Sequence, residues 1–582
     1  MEKKKLSSKN TDSSSPKTVD VEELQWKGEE PRTEEDESSS QAVTETRRIH
    51  WRSGVGIVLG SMIAEAITLL VYFDDSTLRI YITLKYIFPI VAGLLILWWL
   101  FRSGFSRGTR MVGVGSALAA GFLFLSVLRL DRFAGDMWPQ FSFRWRPTTE
   151  QRVAEYWKKA AAERLGAANS NGANAATVGT GSRRLVVTQD DWPRFRGAPC
   201  NGIVRRVSIR TDWEQNPPEL IWKHPVGAAW SSFAVVGDRL FTQEQREELE
   251  AVVCYEASTG RQLWIHTDPA RYSTSMGGTG PRATPTIYQS RIYTLGATGI
   301  LNCLDPYTGE RIWSKNILED ARAENTDWGM AGSPLVFDDV VVVNPGGDEG
   351  RAIAMYDAMG GRLLGSGGKH RASYVAPRMV RLSGVPQLII YDASGVAGYD
   401  NTFTELWRFG WTNSDRINVA QPIVRDGSLV LISSGYGTGS ALLEINFENG
   451  LWSYRERWRR PGQFKLKFND AIYNDGFLYG LDEGILSCIE YETGERKWKR
   501  GRYGHGQILL INDDQLLLVQ AENGEIVLVE ATPDAHREIT RFRALDDITW
   551  NHPVLNRGRL FVRNFKEAAC YDLRPVPSAG TP

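Results

Sequence analysis

The residues of this 582-residue chain best suited to chemistry are polar side chains, each set at the start of a short apolar run. They are Arg282, Thr284, Ser333, Gln421, Asn469, Asp470, His505, Gln507, Asn551 and His552, with Trp230, Trp328 and Trp550 beside them. Donors, acceptors and aromatic faces of these kinds can grip a small ligand or a peptide, provided the fold gathers them in one place. The alternative is that they hydrogen-bond the ends of crowded inner strands and ordered water. His505 and His552 could begin a metal site, but no third ligand accompanies them, so no metal is expected. The chain has only seven His and lacks HExxH, GxSxG and CxxC spacings, so no catalytic residue is assigned. Gly277-Gly-Thr-Gly280 is glycine-rich, but it precedes a strand and not a helix, which argues against a phosphate cradle.

The elements that must position these residues announce themselves by repetition. An acidic residue, Thr-Gly three and four positions later, and Trp four further on recur at Glu256 to Trp264, Asp305 to Trp313 and Glu490 to Trp498. A Cys stands two residues before each acid, at Cys254, Cys303 and Cys488. Each copy reads as strand, tight turn, strand, with Gly supplying the positive φ of the turn. With degenerate copies included, acid-bearing strands end at Glu256, Asp305, Asp357, Asp400, Glu444, Glu490, Glu530 and Asp572. The third copy has Gly365 where Trp is expected, and the fourth shortens its turn and ends at Trp407. A second series opens eight units in step with this one, at Ser231-Ser-Phe, Ala283-Thr-Pro285, Gly332-Ser-Pro334, Val375-Ala-Pro377, Ala420-Gln-Pro422, Asn469-Asp-Ala471, His505-Gly-Gln507 and Asn551-His-Pro553, and most of the polar residues above lie at these marks. Four-stranded units of this length are propeller blades, with the opening strand lining the channel and Trp264, Trp313, Trp407 and Trp498 wedged between blades. An outer strand at Glu219-Leu-Ile-Trp222 comes before the first opening strand, and one is missing after Asp572. Pairing the two closes the ring and removes its free edges.

The A-x-[DE]-x-x-T-G-x-x-x-W pattern resembles the tryptophan-docking repeat of PQQ-type propellers, a superfamily that includes quinoprotein dehydrogenases and the outer-membrane assembly lipoprotein BamB. The resemblance covers about residues 190–575 and implies an all-β, eight-bladed PQQ-like propeller. Trp192-Pro-Arg-Phe-Arg-Gly197, Trp328-Gly-Met-Ala-Gly-Ser-Pro334 and Trp550-Asn-His-Pro553 resemble marks of membrane-anchored bacterial members. The dehydrogenases hold their quinone with adjacent cysteines, a tryptophan floor, a calcium site and an Asp base. This chain has no Cys-Cys pair and no recognisable calcium set, so no cofactor is expected; PQQ with calcium is the alternative. The fold by itself says little about activity.

The front of the chain is built differently. Residues 1–46 are rich in Ser, Glu, Lys and Thr and are expected to be disordered. Between residues 54 and 130 lie three apolar runs, Val55 to Phe73, about Tyr81 to Phe101, and Met111 to Leu128, each long enough to span a bilayer. Arg47, Arg48 and Arg52 precede the first, and Arg102, Arg107 and Arg110 separate the second from the third. The positive-inside rule then keeps the N-terminus cytoplasmic and puts the propeller in the periplasm, on a multi-pass protein of the inner membrane. Glu65 and Lys85 lie at similar depths, where a structural ion pair would lower the cost of burying either charge. Residues 148–166 read as an amphipathic helix, lying on the membrane or docked on the propeller. Residues 167–189 read as a flexible linker. Cys254, Cys303, Cys488 and Cys570 hold equivalent positions on separate blades, too far apart to bridge. Cys200 has no evident partner. A net charge of −1 argues against nucleic acid. The reading is a membrane-anchored scaffold for a protein partner or small ligand at the propeller mouth, with a quinoprotein-type oxidoreductase as the alternative.

Overall fold

The computed structural model describes residues 49–71, 79, 82–135, 137–170, 184–274 and 276–575. The N-terminal tail lies outside them.

Eight antiparallel blades form the body, and in the first six the strands follow sequence order. Blade 1 comprises Ala234–Val236, Arg239–Arg246, Leu249–Glu256 and Gln262–Asp268. Blade 8 takes its outer strand from far upstream. Glu219–Pro225 pairs antiparallel with Glu567–Asp572, setting Trp222 opposite Cys570, as the early strand predicted. Blade 7 gains a fifth strand that the repeat did not foretell, Ile203–Val204, which runs parallel to Gln507–Ile511. The middle strands sit between neighbouring blades, so both their faces are apolar; Leu516–Gln520 is buried throughout.

The repeat motif is a joint between blades. Trp264 Nε1 donates to Pro306 O of the next blade at 3.1 Å, and Trp313 Nε1 to Ala358 O at 3.0 Å. Each ring lies on the glycine of that turn: a Cβ on Gly309 would fall 2.5 Å from Trp264, and one on Gly361 would fall 2.7 Å from Trp313. Gly is therefore required twice, for its positive φ and for the approach of the ring. The acid holds the turn, with Asp305 Oδ1 accepting from Tyr307 N at 2.8 Å and Thr308 N at 2.9 Å. Trp498 docks likewise on Thr532 O at 3.0 Å, and Trp222 carries the joint across the closure to Ala257 O at 2.9 Å.

Two joints depart from the pattern. Trp407 packs with the buried side chains of blade 5, but its indole N–H donates to Gln387 Oε1 in its own blade, at 2.8 Å. The shortened turn reverses the contact before it, so that Phe403 fills the space left by Gly365, where a Cβ would meet its ring at 3.3 Å. Between blades 5 and 6 the docking residue is Trp458, which donates to Tyr491 O at 2.8 Å.

Three helices long and apolar enough to cross a membrane precede the blades: α1 (Trp51–Val71), a second at Thr83–Arg102 whose central part is α2 (Phe88–Leu97), and α3 (Arg107–Val127). They match the three runs to within a few residues. Glu65 Oε2 accepts from Thr83 Oγ1 at 3.0 Å, so a neighbouring hydroxyl meets this charge.

Beyond α3 the chain is held to the propeller by a hairpin and a helix before it reaches the expected linker at 167–189. Strands β1 (Leu128–Phe133) and β2 (Pro139–Phe143) form a hairpin that grows directly out of α3. Helix α4 (Thr149–Ser170) docks on the propeller: Val153 is buried, and the Trp157 ring lies 5.2 Å from His224 and 5.7 Å from Tyr255. Residues 167–170 belong to this helix and not to a tether. Residues 171–183 lie outside the described residues. At 184–189 the chain is already bound, with Leu185 N donating to Ser290 Oγ at 2.8 Å and Leu185 and Val187 packed on a core cluster.

Candidate functional site

A blind cup of about 160 Å³ occupies one end of the channel. Its wall is an aromatic collar. Trp230 lies 4.5 Å from Trp550, Trp550 4.8 Å from Phe468, Phe468 6.1 Å from Trp328, and Trp328 5.2 Å from Tyr374; Phe565, outside the lining, lies 5.2 Å from Trp230. Four of these rings directly precede the opening marks of their blades: Trp230 before Ser231, Tyr374 before Val375, Phe468 before Asn469 and Trp550 before Asn551. An inner strand therefore delivers its preceding aromatic to the mouth. Phe195, on the segment that enters the propeller, lines this cup and also the smaller cavity beyond it. It closes the floor, 5.6 Å from the His552 ring.

Of the residues singled out in the sequence, Trp230, Arg282, Thr284, Trp328, Ser333, Gln421, Asp470, Gln507, Trp550 and His552 line the cup. Several also stitch the ring together. Ser333 Oγ accepts from Thr284 N at 2.9 Å, Thr284 Oγ1 from Ser232 N at 3.1 Å, and Asp470 Oδ1 from Gln421 N at 2.5 Å. Gln507 Nε2 donates to Phe468 O at 2.7 Å and Trp550 O at 2.9 Å, holding two collar residues. Asn469, His505 and Asn551 lie outside the lining. Asn469 braces the backbone of Leu481, and Asn551 Nδ2 donates to Ala229 O at 3.1 Å and Ser231 O at 2.8 Å. His505 packs beneath the hairpin instead.

The electrostatics are uneven. Gly277-Gly-Thr-Gly280 turns its carbonyls inward, and Arg282 donates to Gly277 O and Gly278 O, both at 2.9 Å, and to Gly280 O. The loop thus holds a cation and not a phosphate. Burial brings the Arg282 guanidinium down to about 10, which still leaves it charged at neutral pH. His552 falls to about 3, through burial and then the nearby Arg196, so its ring is neutral. Its Nδ1 lies 2.9 Å from Pro553 O, which fixes the proton there and leaves Nε2 as a bare acceptor. That buried Nε2 has no hydrogen-bond partner among the described residues. The cup therefore offers stacking faces at its wall and an acceptor at its floor, suited to an apolar or aromatic group that bears a donor.

The hairpin reaches the rim of this cup. Lys467 Nζ donates to Gly135 O at 2.6 Å, and Arg132 pairs with Asp547 while covering the Phe565 ring at 5.2 Å.

A family model described as outer membrane protein assembly factor BamB matches residues 202–378 and 250–500, together more than half of the chain. The chain belongs to this BamB family. It is also similar to a quinoprotein ethanol dehydrogenase of Pseudomonas aeruginosa, 25% identical over 176 residues, which are 28% of this chain and 28% of the enzyme. The BamB-family chain thus spans little more than a quarter of that relative. Among solved structures, BamB from Moraxella catarrhalis is 15% identical, covering 63% of this chain and 99% of its own, with a TM-score of 0.44. A quinohemoprotein alcohol dehydrogenase from Comamonas testosteroni is 11% identical, covering 68% and 83%, with a TM-score of 0.39.

No three His, Cys, Asp or Glu side chains converge among the described residues. Four of the five cysteines are buried singly in separate blades, and Cys200 stands apart from them.

Proposed function

We propose that this protein is a membrane-anchored binding domain whose cup receives an apolar or aromatic group presented by a protein partner or a small ligand. The observation that carries the reading is the run of aromatic rings along the cup wall, with the unpaired His552 Nε2 at its floor. The three apolar helices are the anchor. Arginines on the tail and between the second and third helices favour a cytoplasmic N-terminus and an extracytoplasmic propeller, on the inner membrane. Membership of the BamB family supports a scaffold role.

Ligand-observed NMR of the full chain in detergent, with a set of aromatic fragments, tests the cup. Fragments that combine a ring with a hydrogen-bond donor are expected to bind, and their signals to vanish with Trp328→Ala/Trp550→Ala. Equal binding to wild type and variant would refute the site. A reporter fused after Pro582 that is active on the cytoplasmic side would refute the orientation.

The similarity to the ethanol dehydrogenase favours a second reading, oxidation by a bound quinone. The poor donor set weighs against it. Calorimetric titration with PQQ and calcium separates the two, since stoichiometric heat with a shifted absorbance band belongs only to the second.

A further inference from the structure

Farther along the inner strands of blades 5 and 6, a second cavity of about 190 Å³ opens between the blades and the segment that enters the propeller. Three guanidiniums reach it from separate pieces of chain. Arg196 lies on that segment, Arg378 opens the inner strand of blade 4, and Arg425 ends the inner strand of blade 5. No Asp or Glu lines the cavity.

Among the described residues, one acid forms an ion pair with these three cations. Arg196 Nε lies 3.5 Å from Asp470 Oδ2, and Asp470 already accepts from Gln421 N. Arg196 Nη2 donates to neutral carbonyls, Asn201 O at 3.0 Å and Ala471 O at 2.7 Å. Arg378 is likewise spent on carbonyls, Pro422 O at 2.8 Å and Pro199 O at 3.3 Å. Arg425 lies flat over Tyr473, 3.9 Å from the ring centroid, and makes no hydrogen bond or ion pair among the described residues. Its fork is held in place by stacking, with its donors unspent. Burial lowers the Arg196 pKa, and Arg378 lowers it further, so the cluster carries repulsion that an anion would relieve.

We infer that this cavity binds a small oxyanion, a phosphate or a carboxylate group. A planar guanidinium fork matches either anion with paired hydrogen bonds. The apolar walls of Ile203, Ile423 and Val424 strengthen the attraction by excluding water.

The chain carries its own reporter. Cys200 lines the cavity and is partly exposed, whereas Cys254, Cys303, Cys488 and Cys570 are each 0% exposed. The full chain in detergent is labelled with neutral N-ethylmaleimide while inorganic phosphate, acetate or chloride is titrated at constant ionic strength. Phosphate or acetate is expected to slow Cys200 labelling saturably, and the more potent of the two names the group. Arg425→Ala, an exposed position with no hydrogen bond to lose, should raise the half-protecting concentration about tenfold. Protection no stronger than that of chloride, or unchanged in Arg425→Ala, overturns the site.

Discussion

Gly135 donates its backbone N–H to Glu522 Oε1 at 2.7 Å, across 387 residues of sequence. The same oxygen accepts from Trp550 Nε1 at 2.8 Å, and Oε2 accepts from His505 N at 3.0 Å. One carboxylate thus ties the hairpin that leaves α3 to the aromatic wall of the cup. Only glycine fits at the tip, since a Cβ on Gly135 would lie 2.4 Å from His505 Cδ2.

Glu522→Ala is therefore expected to free the hairpin and loosen Trp550 together. Hydrogen exchange at Leu128–Phe143 should quicken, and stability should fall by about 2–4 kcal/mol, as three bonds to a charged group are lost. Exchange unchanged from wild type would show that Lys467 and the Arg132–Asp547 pair hold the hairpin without Glu522. Gly135→Val should give the same exchange pattern by steric exclusion.

The blade joints make a graded prediction. Trp264→Phe removes the bond to Pro306 O and should cost about 1–3 kcal/mol. Gly309→Ala adds strain at φ +74° and a collision with the Trp264 ring, and should cost about 3 kcal/mol or more. Urea denaturation of both variants checks the order.

Stability should fall in mild acid. Burial holds His552 at about 3 when folded, and burial with Lys467 nearby holds His505 well below its ordinary value. Unfolded, both titrate near 6.5, so the unfolded chain binds more protons between pH 6.5 and 3. The stabilisation is complete above pH 6.5 and is lost progressively below it, at up to about 1.4 kcal/mol per pH unit for each group. Thermal melts from pH 8 to 4 should show this slope, and His552→Asn should reduce it.

The blade cysteines should be inert. Burial pushes the thiols of Cys254, Cys488 and Cys570 up to about 12 and also raises that of Cys303, so thiolate is scarce and shielded. Mass spectrometry after alkylation at pH 8 should find one label on the native chain and five in denaturant. Native labelling of any blade cysteine would report blade opening.

The propeller was legible because its joint needs three residue types at fixed spacing. The acid closes the turn, Gly admits the ring and Trp supplies the donor, so each copy leaves a trace. Trp458 was hidden because the strand after Glu444 runs on to Glu448 before it turns, which moves the docking Trp out of register. Trp407 kept its spacing yet sends its N–H inward, since the short turn after Asp400 puts Phe403 at the joint instead. In the cup, the opening marks located the rim but not Phe468 or Tyr374, although an aromatic before the mark was a usable signal. Asn469, His505 and Asn551 resemble ligand-binding residues in type, and only their partners show that they serve the backbone and the hairpin. The hairpin itself left no local sign, because Glu522, Lys467 and Asp547 lie hundreds of residues downstream.

The closure of blade 8 also sets a clock. Strand Glu219–Pro225 is made before any other strand of the eight four-stranded blades, and its partner Glu567–Asp572 after all of them. At about 5–20 residues per second, the ribosome needs on the order of 20–70 s to span that gap. Throughout it, the first outer strand has an unpaired edge and Trp222 has no blade on its Cys570 side. A newly made chain is therefore exposed to edge-to-edge association until blade 8 is complete, and the last strand of that blade decides whether the ring shuts on itself or on a neighbour.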